Sequence, residues 1–203
     1  MNTSVVRLMA ITDNVRDGQE GLIARATAAA NGGATCIQLR LKEVSARDLA
    51  GIARELVRAV SVPVIVNDRA DVAIAAGAAG VHLGIDDVPP GAIRTFAPAG
   101  FIIGVSVGSD DEVENSAGAD YAGIGPVFHT GTKSDAGHPI GADEFKRLAV
   151  ATGLPAVAIG GITALNANII MDAGAAGVAA VSAIFGATDP RSAAAVLASS
   201  IGS

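Results

Sequence analysis

The chain has no tryptophan, and aromatic residues make up only 3% of it. So few rings leave no stacking platform for unpaired bases. Positive charge is also short: 14 Lys and Arg against 20 Asp and Glu give a net charge of −6. That balance lacks the broad cationic footprint of a nucleic-acid binder. The single cysteine, Cys36, rules out an intramolecular disulfide and fits a reducing compartment. It lies in an apolar run and reads as a buried structural thiol. No apolar run reaches the roughly 18 residues of a membrane span. The first residues, MNTSVVRLMAITD, lack a basic region followed by a long apolar stretch and a cleavage site, so they read as a first strand. The expected location is the cytoplasm, with no nucleic acid and no membrane as partner.

What is present is apolar chain in a regular alternation. Half of the 203 residues are hydrophobic, enough for one core, and one domain spanning 1–203 is expected. Short β-branched runs predict strands at Val5–Thr12, Thr35–Arg40, Val62–Asn67, Gly80–Leu83, Phe101–Ser106, Tyr121–Gly125, Ala156–Ile159 and Val178–Val181. Alanine-rich stretches between them predict helices, among them Glu20–Asn31, Ala46–Ala59, a short Ala70–Ala76, Ala142–Ala151 and Ala164–Ala173. A Gly-Ala pair recurs before strands, at Gly33-Ala34, Gly77-Ala78, Gly118-Ala119 and Gly174-Ala175. Glycine there can end a helix in the left-handed conformation, and alanine lets the next strand pack closely. Continuous apolar strands alternating with helices predict a helix-covered parallel sheet. Eight such units favour an α/β fold of the (β/α)8 TIM-barrel type over an open doubly wound sheet, because no Gly-x-Gly-x-x-Gly follows the first strand.

In such a barrel the chemistry sits at the C-terminal ends of the strands. Polar residues gather at those ends. Gln38, Arg40 and Lys42 alternate with leucines and so share one face. A guanidinium fork beside an ammonium suits a multiply charged phosphate, with a solvated edge pattern as the alternative. The apolar run Val62–Val66 ends in Asn67 and Asp68, and Asp87 lies one βα unit further on. Two carboxylates on neighbouring strand ends repel each other unless a cation lies between them, and a diphosphate beside them completes a natural Mg2+ site. The alternative for Asp68 is a cap on the following helix. Ser106 ends the fifth strand. Thr130, Thr132 and Lys133 lie on a long loop, about Pro126 to Gly141, which reads as a phosphate cover or as a surface loop. Gly160, Gly161 and Ser182 follow strands seven and eight, where barrels commonly hold a single phosphate; tight glycine packing is the alternative. The three histidines match no metal-binding spacing. His82 reads as a barrel histidine with its hydrogen bonds satisfied, and His129 is the less certain case.

Together these segments are Gln-x-Arg-x-Lys, Asn-Asp, His-x-Gly-x-x-Asp, Gly-Val-Ser, Gly-x-Gly-Pro-Val-Phe-x-Thr-x-Thr-Lys, Ile-Gly-Gly-Ile and Val-Ser-Ala-Ile. In that order they resemble the thiamine phosphate synthase family, from about Arg7 to Ile201. The resemblance implies a transferase of thiamine biosynthesis. It joins hydroxymethylpyrimidine diphosphate to thiazole phosphate and releases diphosphate. By that likeness Gln38, Arg40, Lys42, Asn67 and Lys133 hold the diphosphate, and Asp68 and Asp87 ligate Mg2+. Ser106 sits by the pyrimidine and its diphosphate. Thr130 and Thr132, with backbone at Gly160, Gly161, Val181 and Ser182, bind the thiazole phosphate. Arg40, Lys42, Lys133 and Ser106 form the implied catalytic set. The implied partners are these two small molecules, and a homodimer stays open.

Two departures from the family pattern bear on this expectation. Where the family carries Gly-Gln-x-Asp, this chain reads Gly84-Ile85-Asp86-Asp87, which changes the neighbour of the metal position. The related TenI-like thiazole tautomerases use a histidine in a Gly-His-Val-Phe segment. Here that segment is Gly125-Pro126-Val127-Phe128, and proline cannot carry a proton. A tautomerase using His129, or a binding barrel without turnover, remains as the alternative to the transferase.

Overall fold

The computed structural model describes residues 2–12, 17–131 and 137–202. Eight parallel strands follow one another in chain order and close: β1 (Leu8–Ile11), β2 (Cys36–Leu39), β3 (Val64–Asn67), β4 (Gly80–Leu83), β5 (Ile102–Val107), β6 (Tyr121–Ile124), β7 (Ala156–Ile159) and β8 (Gly177–Ala180). Closure is made by β8 on β1, with Met9 opposite Ala179. The expected (β/α)8 barrel is therefore present, and the open sheet is excluded.

Helices cover the outside: α1 (Gly18–Asn31), α2 (Ala46–Ala59), α3 (Ala70–Ala76), α4 (Pro90–Arg94), α5 (Asp110–Val113), α6 (Gly141–Thr152), α7 (Ala167–Asp172), α8 (Ser182–Phe185) and α9 (Pro190–Ser200). The helix α2 shows how local sequence sets them. The Ser45 hydroxyl accepts from the Asp48 N–H and caps the first turn. Leu49, Ile52, Ala53 and Leu56 then fall on one buried stripe against the sheet. Each large side chain in that stripe contributes about 2 kcal/mol by leaving water.

Three of the four Gly-Ala pairs close helices in the same way. Ala34, Ala78 and Ala175 each donate to the carbonyl five residues back, on Ala29, Ala73 and Ile170. That is the Schellman bond, and it needs the intervening glycine in the left-handed region. Gly33, Gly77 and Gly174 have φ of 108°, 71° and 96°. The chain then enters β2, β4 and β8 at once. Gly118 (φ 90°) plays the same part before β6, after a 3-10 turn.

Period two divides the strands between two cores. Outward residues such as Ile37, Leu39, Val81, Leu83, Ile103 and Val105 pack under the helices. Inward residues, including Met9, Cys36, Ile65, Tyr121, Val157 and Ala179, fill the barrel. Cys36 is fully buried there, and burial pushes its thiol up to about 12, so it is inert. Most boundaries fall within two residues of the sequence expectation, and two differ by three. Thr3–Val6 wind into a 3-10 turn capped by Asn2, so β1 starts at Leu8. Thr163–Asn166 form a turn in which Asn166 Oδ1 accepts from the Thr163 N–H, so α7 starts at Ala167. In both cases a local side-chain bond competes with the regular ladder. No helix among the described residues is long and apolar enough to cross a membrane.

Candidate active site

The polar strand ends meet on one rim, as the barrel rule requires. At its centre are Asp68 and Asp87. Asn67 of β3 stands opposite His82 of β4, and the Asp68 N–H donates to the His82 carbonyl at 2.7 Å, so the two strand ends are locked side by side. Asp68 is the one described non-glycine residue with positive φ, 63°. Aspartate tolerates that region because its short side chain can bond locally. The capping alternative is not realised: Arg69 occupies the cap position of α3, which has no side-chain cap bond. The Asp87 carboxylate accepts from the Gly84 N–H at 2.7 Å, and this folds the loop after β4 back toward β3.

Burial, then the charge of Asp87 and a hydrogen bond to it, raise the Asp68 carboxyl above its ordinary range. Lys42 and Arg40 pull the other way. Two carboxylates are thus in contact, with two cations beside them. The donor set fits a divalent cation, which would relieve the repulsion that protonation otherwise relieves. Among the described residues no three His, Cys, Asp or Glu side chains gather as a metal cage. A metal here needs further ligands from water or phosphate, which is how Mg2+ is held.

Arg40 and Lys42 follow β2. Thr12, fully buried at the end of β1, fixes their start. Its hydroxyl accepts from the Arg40 N–H at 2.9 Å, and its own N–H donates to the Gln38 carbonyl at 2.9 Å. Arg40 is half-buried and Lys42 exposed, both close enough to act on Asp68. Gln38 shares their face but lies one layer deeper. It is 3% exposed, with its amide nitrogen 3.5 Å from Met9 Sδ and a bond to the Tyr121 hydroxyl. Its position supports the wall of the site from below.

Ser106 on β5 is exposed although its neighbours on the strand are buried, because its side chain opens into the barrel mouth. Behind it lies His82, whose Nε2 is 3.1 Å from Ser106 Oγ and whose Nδ1 is 2.9 Å from the Tyr121 hydroxyl. His82 is therefore a satisfied barrel histidine, as the sequence suggested. Tyr121 and Thr12 are the participants that sequence reasoning missed. Tyr121 is the only tyrosine, and its signal was the pair of in-strand glycines, Gly104 and Gly123, on its own and the neighbouring strand.

On the other side of the rim, Gly160 and Gly161 (φ 95° and 65°) support the segment after β6. A Cβ on Gly160 would lie 2.5 Å from Pro126, and one on Gly161 would lie 2.5 Å from the His129 carbonyl. The Phe128 N–H donates to the Gly160 carbonyl at 3.0 Å. The two glycines thus pack closely under this segment, which carries Thr130 at the same rim as Val181 and Ser182, where β8 turns into α8. His129 is exposed on this segment. Thr132 and Lys133 lie outside the described residues.

Ile85 is 48% exposed and lines a small cleft between the ends of β4 and β5 with Asp87, Ser106 and Asn115. A larger cavity of about 290 Å³ lies at the opposite end of the barrel, by Arg7, Thr35 and Ser199. Its one charged group is already engaged, since the Arg7 guanidinium donates to the carbonyls of Ile201 and Gly202. It holds no constellation for chemistry.

Comparison with known proteins bears on the family and the fold. Residues 8–184 match the family model described as thiamine monophosphate synthase. The thiamine-phosphate synthase of Methanoculleus marisnigri is 50% identical over 171 residues, 82% of this chain and 81% of that protein. That of Azorhizobium caulinodans is 45% identical over 195 residues, 94% of this chain and 92% of that protein. The solved structure of thiamine phosphate pyrophosphorylase from Pyrococcus furiosus superimposes with a TM-score of 0.85 at 36% identity, covering 98% of this chain and 96% of that one. The chain belongs to the thiamine monophosphate synthase family.

Proposed function

We propose that this chain is a thiamine phosphate synthase, joining hydroxymethylpyrimidine diphosphate to thiazole phosphate with release of diphosphate. The observation that carries the reading is the rim cluster. Asp68 and Asp87 touch, with Arg40 and Lys42 acting on the same point. That arrangement has no use in a structural barrel, where repelling carboxylates only cost stability. It suits a diphosphate that arrives with its own counter-ion.

Arg40, Lys42 and Lys133 hold the diphosphate, with Asn67 at the end of β3 and Ser106 across the mouth on β5. The Mg2+ held by Asp68 and Asp87 would supply charge neutralisation for the departing oxygens. As the C–O bond breaks, its electron pair leaves with the diphosphate, and Arg40, Lys133 and Ser106 are the residues assigned to offset that growing charge. The electron-rich aminopyrimidine stabilises the methylene cation left behind. The thiazole nitrogen then attacks that carbon to form the new C–N bond. Thr130 and Thr132, with backbone at Gly160, Gly161, Val181 and Ser182, anchor the thiazole phosphate so that the nitrogen is already close. No protein nucleophile is required. The tautomerase alternative finds no proton carrier at Pro126, and His129 is exposed.

The test is one incubation of the purified chain with both substrates and Mg2+, assaying thiamine phosphate and diphosphate together. Both products are expected in equal amounts, and only with the metal present. Binding of thiazole phosphate without any product would replace the transferase by a binding barrel.

A further inference from the structure

Behind Ser106 a row of polar groups crosses the barrel from β2 to β5. It begins at Gln38, whose amide nitrogen carries hydrogens and no accepting lone pair. That nitrogen lies 3.5 Å from Met9 Sδ, which can only accept. Gln38 also bonds the Tyr121 hydroxyl. Burial is the main cause that raises that phenol well above its ordinary range, so it keeps its hydrogen. Its hydroxyl lies 2.9 Å from His82 Nδ1, whose lone pair can accept that hydrogen. An accepting Nδ1 puts the ring hydrogen of neutral histidine on Nε2. Nε2 then donates to Ser106 Oγ across 3.1 Å.

We propose that Tyr121 and His82 are positioning residues that aim the Ser106 hydroxyl as a hydrogen donor into the barrel mouth, toward the diphosphate oxygens. The inference rests on the transferase reading above. With the opposite tautomer Ser106 would give its hydrogen to His82 and turn a lone pair toward an anion, an unfavourable pairing. The strands are built around the row. A Cβ on Gly104 would lie 2.1 Å from Tyr121 Cζ, and one on Gly123 would lie 2.9 Å from His82 Cε1. Glycine weakens a strand interior, and here it is what admits the two rings. Tyr121 and His82 sit with ring centroids 5.5 Å apart.

Two measurements on the full chain decide the matter. Imidazole 15N shifts of the substrate-free protein are expected to show the His82 hydrogen on Nε2, and a hydrogen on Nδ1 would overturn the proposal. Single-turnover rates form the second arm, with Tyr121→Phe, Ser106→Ala and the double variant. Tyr121→Phe is expected to slow the chemical step about tenfold, the loss of one aimed hydrogen bond, without changing KM for the pyrimidine diphosphate. In the Ser106→Ala background the same change should cost less than about twofold, because there is no hydroxyl left to aim. Equal losses in both backgrounds would mean that Tyr121 acts on the fold instead. Should Tyr121→Phe fold poorly, His82→Gln, which keeps an N–H donor, is compared with His82→Leu. The glutamine variant should be faster by about tenfold, and equal rates overturn the inference. A wild-type chain that makes no thiamine phosphate would instead remove the transferase reading itself.

Discussion

The Asp87 carboxyl stands within hydrogen-bonding reach of Asp68, although a whole βα unit separates them in the chain. The pairing of Asn67 with His82 brings the two strand ends together, and the Gly84–Asp87 bond folds the second carboxylate inward. Like charges of this kind are held together by the fold and not by each other.

Asp68→Asn keeps a residue suited to a φ of 63° and removes one ligand charge. Turnover with Mg2+ is expected to fall by a factor on the order of 100 or more, with the melting temperature unchanged or raised. Asp68→Ala should lose the same activity and also about 1 kcal/mol of stability, since alanine has no local bond to offset the left-handed backbone. Steady-state rates and thermal melts of the pair separate the two effects. A near-normal rate in the asparagine variant would remove Asp68 from the metal site.

The raised Asp68 carboxyl links stability to pH in a definite direction. Its proton is held more tightly in the folded chain than in the unfolded one, where the ordinary value is 3.8. Its stabilising contribution is fully present below that value and is lost as pH rises through the higher folded value. In chelator, wild type should therefore lose stability relative to Asp68→Asn over an interval that opens at about pH 3.8. Near neutrality Mg2+ should restore it, by about 2.7 kcal/mol at a hundredfold excess over Kd. Denaturant midpoints across pH, with and without Mg2+, are the measurement. Parallel curves that ignore the metal would contradict the assignment.

Gly104 and Gly123 should respond differently to alanine. At Gly104 the new methyl meets the rigid, fully buried Tyr121 ring at 2.1 Å, so the variant should be severely destabilised or insoluble. At Gly123 the contact is 2.9 Å to His82, which is only partly buried and can tilt. Gly123→Ala should melt within a few degrees of wild type yet lose most of its turnover. Circular dichroism melts beside rate measurements test this contrast.

Lys133→Ala should slow diphosphate departure more than it weakens thiazole phosphate binding. Single-turnover rates report the first and titration the second. Equal losses in both would contradict the division of roles between Lys133 and the threonines.

Much of the site was readable in advance because barrels put their chemistry at one end of each strand. Asp68 and Asp87 follow apolar runs one βα unit apart, and the structure places their carboxyls together. Gln38 shows the limit of such reading. Period two assigns it to the same inner face as Arg40, but not to the same height. Height depends on strand tilt and stagger around the closed barrel, and these put Gln38 against Tyr121, below the rim. Tyr121 begins a strand and looks like ordinary core. Its bond to His82 exists only because β4, β5 and β6 are neighbours with Gly104 and Gly123 left bare between the rings.

Local chemistry written in the chain determined the alternation of strand and helix, the glycine stops before the even strands and the polar residues at the strand ends. Those choices need only a few adjacent residues, so sequence carries them whole. Closure of β8 on β1, the depth of Gln38, the contact of the two aspartates and the row of side chains behind Ser106 were decided only by the tertiary structure. Each depends on which strands lie side by side and at what stagger, and no local stretch of chain holds that information.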